Sequence, residues 1–317
     1  MKARVRNSAK DVQSLTGVGP EGSYLPPTAV GVVGCGTMGR IMVSALVRRG
    51  YAVVVHDPSP AAQTAAAAAG ASLARDLSGV GSCPVVILSL PGPREVRQAV
   101  LGLLALPRYP AVIVDTTTSD PETTRELASA TVQKGATLLD APILGRPASA
   151  GRWTVPVGGE PSTIDRVRPV LEAFAARVIP VGPVGTAHTL KLLNQMMFAI
   201  LNAATAEVLA LAPQLGLSPT LFYETVVSSG AATVSGLFQE LGGKISREDF
   251  SPVFSVELLC KDTDLALRMA RRVGGAAVLT STVQLLNHLA RTRGLSDRDS
   301  SAVVLVYREL NSGPEPS

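Results

Sequence analysis

The chain has 317 residues, of which 46% are hydrophobic, so it is long enough for two domains with sizeable cores. Its 29 basic and 25 acidic residues are spread along the chain, and the net charge of +4 therefore does not indicate a nucleic-acid partner. The three cysteines and three histidines have no disulfide or metal-ligand spacing, so we expect no metal site and a reducing compartment, the cytoplasm.

Residues 1–27 show no hydrophobic periodicity and contain several prolines and basic side chains. No apolar signal core follows the basic residues, so we expect a disordered N-terminal extension. An organelle transit peptide has a similar basic, acid-poor composition and stays open as an alternative.

The first clear motif is a glycine turn between a predicted strand at 29–33 and a predicted helix. The turn has the G-x-G-x-x-G spacing, and a second predicted strand at 52–56 leads to an acidic residue. In a dinucleotide-binding unit such glycines allow a tight turn and close approach of a pyrophosphate, while the carboxylate accepts from the ribose hydroxyls. The three residues directly after the acidic residue include no arginine that could bind a 2′-phosphate, which favours NAD over NADP. The predicted NAD-binding residues of this unit are Gly34, Gly36, Thr37, Met38, Gly39 and Asp57.

Strand-like and helix-like segments alternate from residue 28 to about 184. This rhythm predicts an α/β domain, a Rossmann-type doubly wound and mostly parallel sheet with helices on both faces. The predicted strands are 29–33, 52–56, 85–90, 111–115, 137–140, 154–157 and 177–181. The predicted helices include 60–69, 93–104, 121–134 and 161–175.

The strand pattern stops after Gly185, and residues 186 to about 215 predict one long helix. Residues 185–317 are therefore expected to form a smaller all-α domain for substrate binding and oligomerisation. No uninterrupted apolar run reaches the ~18 residues that span a bilayer, so we expect no membrane association. The apolar content of this domain favours a homodimer or a homotetramer.

Three predicted strands are followed by turns rich in proline, threonine, aspartate or glycine. These turns lie at 90–93, 115–121 and 140–145. Each alone reads as a turn with a helix cap, such as Asp120 before Pro121. Because ligands of open parallel sheets bind outside the carboxyl ends of the strands, the three turns together predict a site.

Lys191 lies one to two turns into the long predicted helix, after a glycine-rich turn. Asn194 and Gln195 follow at i+3 and i+4, so the three polar side chains share one face of an otherwise apolar helix. Such a face needs a polar cavity, unless the lysine extends to solvent. A lysine in a polar cavity is a candidate general acid or base.

These segments together resemble the β-hydroxyacid dehydrogenases, the group of 3-hydroxyisobutyrate dehydrogenase and tartronate semialdehyde reductase. The matching segments run in order over residues 29 to 305: GVVGCGTMG, LSLPGPREV, DTTTSDP, DAPILG, VGG, GPVGTAHTLKLLNQ and FSPVFSVELLCKDTDLAL. The resemblance implies that Lys191 exchanges the proton of the hydroxyl group. It also implies that Leu90 and Pro91 cover the cofactor, that Thr118 lies near the nicotinamide, and that Lys261 borders the cleft.

The substrate loop departs from the family pattern, which usually reads DAPVSGG. Here Leu144 replaces the serine and Arg146 replaces the second glycine. Backbone N–H groups of the loop could still hold a carboxylate, and Arg146 could add a charged contact or lie in solvent. The predicted substrate-binding residues are Leu144, Gly145, Arg146, Asn194 and Gln195.

The sequence thus predicts an NAD-dependent oxidoreductase that acts on a small anionic hydroxy acid or its semialdehyde, similar to 3-hydroxyisobutyrate. Two alternatives stay open: a catalytically inactive nucleotide-binding module, and a reductase of another carbonyl or an imine on the same fold. A dehydrogenase of the 6-phosphogluconate type is disfavoured, because the segment after Lys191 lacks the His-Asn pair of that class.

Overall fold

A computed structural model of the chain describes residues 22–231, 233 and 235–312. The chain divides into two compact units, one ending at Lys191 and the other beginning at Leu192. The predicted boundary at 184/185 lies slightly earlier. The division falls within a helix, because the start of that helix is hydrogen-bonded to the sheet of the first unit.

The first unit is built on one eight-stranded sheet with the order β3-β2-β1-β4-β5-β6-β7-β8. All neighbouring strands are parallel except β6 and β7. The chain builds outward from β1 in one direction and then returns to build from its other side, which is the doubly wound topology predicted. The strands are β1 (Ala29–Val33), β2 (Ala52–His56), β3 (Ser72–Leu73), β4 (Val85–Leu88), β5 (Val112–Asp115), β6 (Thr137–Asp140), β7 (Trp153–Gly158) and β8 (Ala175–Gly182).

Two separate hydrophobic clusters cover the faces of this sheet. In β1, Val30 and Val32 belong to one cluster, whereas Ala29 and Val33 belong to the other. A central parallel strand is buried on both faces, which explains why it is an unbroken apolar run. The helices of this unit are α1 (Thr37–Arg48), α2 (Pro60–Ala68), α3 (Leu77–Gly81), α4 (Pro93–Leu104), α5 (Pro121–Gln133) and α6 (Pro161–Leu171).

Some elements differ from the sequence prediction. The edge strand β3 and the short helix α3 were not predicted, since two residues and a glycine-containing turn carry no measurable periodicity. Strand β4 ends at Leu88 rather than at 90, where the Leu90 N–H donates to Thr117 instead of to a neighbouring strand.

The predicted disordered extension covered residues 1–27. Residues 1–21 lie outside the described part of the chain, but residues 22–27 pack against the first unit. Tyr24 is buried, and its N–H donates to the Arg166 carbonyl at 2.9 Å. The Arg166 guanidinium lies 5.0 Å from the centre of the Tyr24 ring, and the Tyr51 hydroxyl donates to the Tyr24 carbonyl. An aromatic side chain with a cationic partner therefore extends the ordered unit beyond the predicted boundary.

Every regular element that the structure describes in the second unit is a helix, and one isolated bridge joins Ser255 and Asp299. This confirms the predicted all-α domain. Its helices, together with the long helix that enters it, are α7 (Thr186–Leu211), α8 (Pro219–Ser229), α9 (Gly236–Ser246), α10 (Val256–Arg272), α11 (Val278–Ala290) and α12 (Val303–Ser312).

Helix α7 and the turn after it form the most apolar helical segment described. The segment Thr186–Leu215 has 30 residues, and its most apolar 18-residue window has a mean hydropathy of 1.6, so by length and composition it could cross a membrane. Core helices of globular proteins meet the same criteria. In its most apolar window 44% is buried, and Asn202 within it donates to the Ser300 carbonyl at 3.0 Å. The predicted absence of membrane association stays a prediction.

Candidate active site

The glycine turn lies where the direction of strand order reverses, between the carboxyl ends of β1 and β4. Gly34 has φ +92°, and a Cβ there would overlap the carbonyl oxygen of Ser89 and lie 2.9 Å from its carbonyl carbon. A Cβ on Gly39 would overlap the carbonyl oxygen of Gly34. Both positions therefore require glycine for the packing of the protein itself, as the motif predicts.

Gly36 requires a different explanation. A Cβ built on Gly36 meets no atom within 4 Å, so the space beside it is open. Gly36 is the N-cap of α1 and supplies no capping side chain, whereas the N-cap Ser59 of α2 accepts from a backbone N–H. The first turn, with Thr37 and Met38, therefore presents N–H groups and a partial positive charge to that open space. This arrangement fits a pyrophosphate.

Asp57 follows β2 and is bonded to the glycine turn. Its carboxylate accepts from the Cys35 N–H at 2.7 Å and from the Ser59 N–H at 2.8 Å. An ionised carboxylate has about four lone-pair sites, so Asp57 can hold the turn and still accept from ribose hydroxyls. Burial, with Asp57 beside it, raises the pKa of the Cys35 thiol, and this cysteine is therefore not an activated nucleophile.

The turns after β4 and β5 are bonded to each other. The Leu90 N–H donates to the Thr117 hydroxyl at 3.1 Å, and the Thr116 hydroxyl donates to the β4 backbone at 2.7 Å. In the first of these turns Pro91 is exposed. In the second turn Thr116 and Thr117 are buried, whereas Thr118 is half-buried. Of the three threonines, Thr118 is thus the one with the most exposed side chain, which suits its predicted place beside the nicotinamide.

Lys191 lies in the second turn of α7, and its ammonium is directed to the loop after β6. Lys191 Nζ donates to the Ile143 carbonyl oxygen at 3.0 Å, and the lysine is half-buried. The structure thus brings the predicted proton donor to the predicted substrate loop, although the two are separated by 48 residues in the sequence.

The loop itself uses most of its own N–H groups. The Leu144 N–H donates to the Thr154 carbonyl at 2.9 Å, and the Arg146 N–H donates to the Ser149 hydroxyl at 3.1 Å. Within the described part of the chain no acceptor engages the Gly145 N–H. Of the three predicted loop residues, only Gly145 therefore offers an N–H to a substrate carboxylate. The Leu144 N–H is committed to a strand-like bridge, and the predicted substrate contact of Leu144 stays a prediction.

Gly145 packs against an indole ring. A Cβ there would overlap the Trp153 ring and lie 2.9 Å from its Cγ atom, and Trp153 Nε1 donates to the Arg146 carbonyl at 2.8 Å. Trp153 is fully buried, so it fixes the loop backbone, while the Arg146 residue is half-buried.

Asn194 and Gln195 differ in their surroundings within the second unit. Asn194 is exposed, whereas Gln195 is 5% exposed and its amide nitrogen donates to Asp262 at 2.6 Å. Asp262 is 2% exposed, and its other oxygen lies 2.8 Å from Lys261 Nζ. The Gln195 side chain therefore solvates a buried carboxylate, because such a group needs donors. The predicted substrate contact of Gln195 stays a prediction.

A buried polar network, which the sequence reasoning did not identify, surrounds His188. His188 Nε2 lies 2.9 Å from the Thr117 carbonyl oxygen, and Nδ1 lies 2.7 Å from the Thr124 hydroxyl. The His188 N–H donates to Asp140 at 2.9 Å. Burial raises the pKa of the neighbouring Asp115 carboxyl. No local pattern marks this network, since its members come from four segments. Among the residues that the structure describes, no cluster of histidine, cysteine or acidic side chains could hold a metal ion.

The reversal of strand order, the uncapped glycine turn and the carboxylate after β2 define an NAD-binding oxidoreductase fold with a helical second unit. Residues 29–182 match the model of the NAD binding domain of 6-phosphogluconate dehydrogenase, and residues 185–307 match the NAD-binding domain of NADP-dependent 3-hydroxyisobutyrate dehydrogenase. The chain belongs to the β-hydroxyacid dehydrogenase family, which confirms the resemblance, and its cofactor is NAD.

Individual relatives match over nearly their whole length. A 3-hydroxyisobutyrate dehydrogenase of Pseudomonas aeruginosa is 34% identical, over 89% of this chain and 99% of the relative. An NAD-dependent L-serine dehydrogenase of the same organism is 30% identical, over 88% and 97%. The solved structure of Mycobacterium tuberculosis 3-hydroxyisobutyrate dehydrogenase with L-serine has a TM-score of 0.79 and 32% identity, over 89% and 99%.

Proposed function

We propose that this protein interconverts a small anionic hydroxy acid and its semialdehyde, with a 3-hydroxy acid as substrate and Lys191 as general acid and base. The observation that carries the proposal is the hydrogen bond from Lys191 Nζ to the Ile143 carbonyl, 3.0 Å long. It directs the ammonium to the loop that is the candidate carboxylate anchor. The relatives named for 3-hydroxyisobutyrate and L-serine support a small 3-hydroxy acid.

The chemistry divides between cofactor and protein. When bound, the nicotinamide supplies or accepts the hydride. In the reductive direction Lys191 gives a proton to the substrate carbonyl oxygen, and in the oxidative direction it takes the proton of the hydroxyl group. The Ile143 carbonyl engages one of the three ammonium donors and so restricts where the ammonium lies.

The substrate carboxylate would bind at the loop after β6. The Gly145 N–H and the Arg146 guanidinium are its candidate contacts, since the Leu144 and Arg146 N–H groups are used within the protein. Asn194, which is exposed, is a candidate contact for the hydroxyl group. On the cofactor side, Leu90, Pro91, Thr118 and Lys261 keep their proposed roles.

We also propose a homodimer or homotetramer in the cytoplasm. Exposed apolar side chains recur every three to seven residues along α7 and its following turn, which forms one stripe. Such a stripe is typical of a protein interface. The exposed fractions are Leu193 53%, Met197 60%, Leu201 39%, Val208 46%, Leu211 42% and Leu215 76%. Light scattering of the wild type and of Met197→Asp tests this: an unchanged mass would remove the stripe from the interface.

The test of the activity is a substrate screen combined with one matched pair of variants. Small 2- and 3-hydroxy acids are assayed with NAD and NADP, and imines are assayed with the reduced cofactors. Lys191→Met should lower kcat by about 10²- to 10⁴-fold while NADH affinity is retained. Lys134→Met, at the exposed end of α5, is the control, and its kcat and NADH affinity should equal those of the wild type.

Each alternative has its own result in this screen. NADH binding without turnover of any substrate would support the inactive module. Turnover of imines but of no hydroxy acid would support the imine reductase. A Lys191→Met variant within a few-fold of wild-type kcat would remove Lys191 from the mechanism.

A further inference from the structure

We propose that His188 is a positioning residue, which holds the beginning of the Lys191 helix against the loop that carries Thr118. The proposal rests on the proposed function, since it concerns the alignment of proton donor and nicotinamide. His188 lies one turn before Lys191 in α7, is fully buried, and had no role in the sequence prediction.

The imidazole joins two segments that follow β5. Thr117 presents a carbonyl oxygen, which can only accept, so His188 Nε2 carries the hydrogen in this 2.9 Å contact. On the other side of the ring, Nδ1 lies 2.7 Å from the hydroxyl of Thr124, near the beginning of α5. One side chain of α7 thus fixes both the turn before Thr118 and the helix after it.

The backbone of the same residue is fixed by a third segment. Asp140, the last residue of β6, accepts from the Gly185 N–H at 2.7 Å and from the His188 N–H at 2.9 Å. This carboxylate holds the N-terminus of α7 at the carboxyl end of β6. Because Asp140 contacts only the helix backbone, the ring contacts of His188 are what couple α7 to the Thr117–Thr118 turn.

The coupling matters because proton and hydride transfer need aligned groups. Lys191 follows His188 by one helical turn, and Thr118 directly follows the residue whose carbonyl the imidazole contacts. A displacement of about 1 Å at a reacting group can lower a rate by about 10²-fold. A histidine with both ring nitrogens engaged also has less freedom than an apolar side chain of similar size.

The polar surroundings of the His188 imidazole indicate that it does more than fill space in the core. The Asp115 carboxylate lies 3.9 Å from His188 Nε2 and is 1% exposed, and it accepts from the Thr117 N–H at 2.9 Å. The ring therefore lies within a polar cluster, where an apolar side chain would leave the Thr117 carbonyl and the Thr124 hydroxyl with one partner fewer.

The first test uses two buried threonines of α5. Thr124→Val removes the hydroxyl that contacts His188, whereas Thr131→Val removes a hydroxyl that donates only within its own helix, to the Ala128 carbonyl. We expect Thr124→Val to lower kcat by about 5- to 10-fold with NADH affinity unchanged, and Thr131→Val to keep the wild-type kcat. Melting temperatures of both variants separate this effect from loss of folded protein.

The second test varies the imidazole itself. His188→Gln can still donate to the Thr117 carbonyl, whereas His188→Leu cannot. We expect His188→Leu to lower kcat by about 10- to 100-fold and His188→Gln to recover most of that loss. A larger isotope effect with substrate deuterated at the hydroxyl-bearing carbon should accompany the lower kcat.

The results of these tests distinguish a failure of the positioning role of His188 from a failure of the proposed hydroxy acid activity. If wild type turns over hydroxy acids and Thr124→Val and His188→Leu keep its kcat per folded site, His188 has no positioning role. Losses in melting temperature without a change in kcat would likewise show that His188 only stabilises the fold. If wild type turns over no hydroxy acid, the proposed function fails and this inference fails with it.

Discussion

The two glycines Gly34 and Gly36 should respond to the same substitution in opposite ways. Gly34→Ala places a Cβ at φ +92° onto the Ser89 carbonyl, so backbone must move. Adoption of a left-handed conformation costs about 1–2 kcal/mol, and overpacking adds about 1–3 kcal/mol. Together these predict a loss of about 2–5 kcal/mol in the free energy of unfolding. At about 2–4 °C per kcal/mol for a unit of this size, the melting temperature should fall by roughly 4–20 °C.

Gly36→Ala should leave the fold intact and impair the cofactor site. Gly36 has φ −69°, which alanine adopts freely, and its Cβ would meet no protein atom within 4 Å. Stability should therefore change by less than about 0.5 kcal/mol. The methyl group would occupy the space in front of the helix N-terminus. If it disrupts one charge-assisted hydrogen bond to the pyrophosphate, worth about 1.5–3 kcal/mol, NADH should bind about 10- to 100-fold more weakly.

Thermal melts without cofactor and fluorescence titrations with NADH measure the two effects separately. Two results would refute the reasoning. One is a melting temperature of Gly36→Ala as low as that of Gly34→Ala, which would mean that Gly36 has a structural role. The other is wild-type NADH affinity in Gly36→Ala, which would mean that no phosphate approaches this part of the turn.

Three further predictions concern cofactor choice, substrate anion and thiols. The kcat/KM of the wild type should be higher with NADH than with NADPH. Asp57→Ser should lower the NADH-to-NADPH ratio of kcat/KM by about 10-fold, because the carboxylate that it removes repels a 2′-phosphate. A higher kcat/KM of the wild type with NADPH would contradict this. Arg146→Ala should raise KM for the hydroxy acid by about 10-fold without changing the Kd of NADH, whereas an unchanged KM would make Arg146 a surface residue. Burial raises the pKa of Cys83 to about 12 and of Cys260 to about 11, and that of Cys35 above its usual value, so the native protein should not react with a thiol reagent at pH 8. A thiol that reacts rapidly before denaturation would show that one of these sites opens.

Local patterns predicted those features of the molecule that depend on neighbours in sequence. Strands β1 and β2 begin and end at the predicted residues, because both are apolar runs bounded by a glycine or an acidic residue. The glycine turn was equally predictable, since its spacing follows from the geometry of one strand, one turn and one helix. The end of β4 at Leu88 was not predictable, because the Thr117 hydroxyl that accepts from the Leu90 N–H lies 27 residues away in the sequence.

The sequence analysis identified candidate site residues, but it did not identify the buried side chains that contact their elements. Lys191 could be singled out as a lysine on an apolar helix. His188, one turn earlier, could not be singled out, because the role of a histidine in a helix depends on its hydrogen-bond partners. These partners lie 48 to 71 residues away in the sequence. The inward side chain of Gln195 depends in the same way on Asp262, which is 67 residues distant.

The bond between Asp140 and the first turn of α7 bears on how this protein can be recombined with its relatives. A chimera joined at residue 184, where the change from strands to helices invites a junction, would take the helix start from a different parent than the carboxylate that holds it. If the helix of the second parent begins at a different position, the buried carboxylate loses main-chain N–H donors, at about 1–3 kcal/mol for each lost hydrogen bond. A junction after Lys191 keeps the pair together and transfers the lysine with the sheet. Exchange of helical units at that position would thus vary the second unit while Lys191, the proposed proton donor, keeps its contact with the loop after β6.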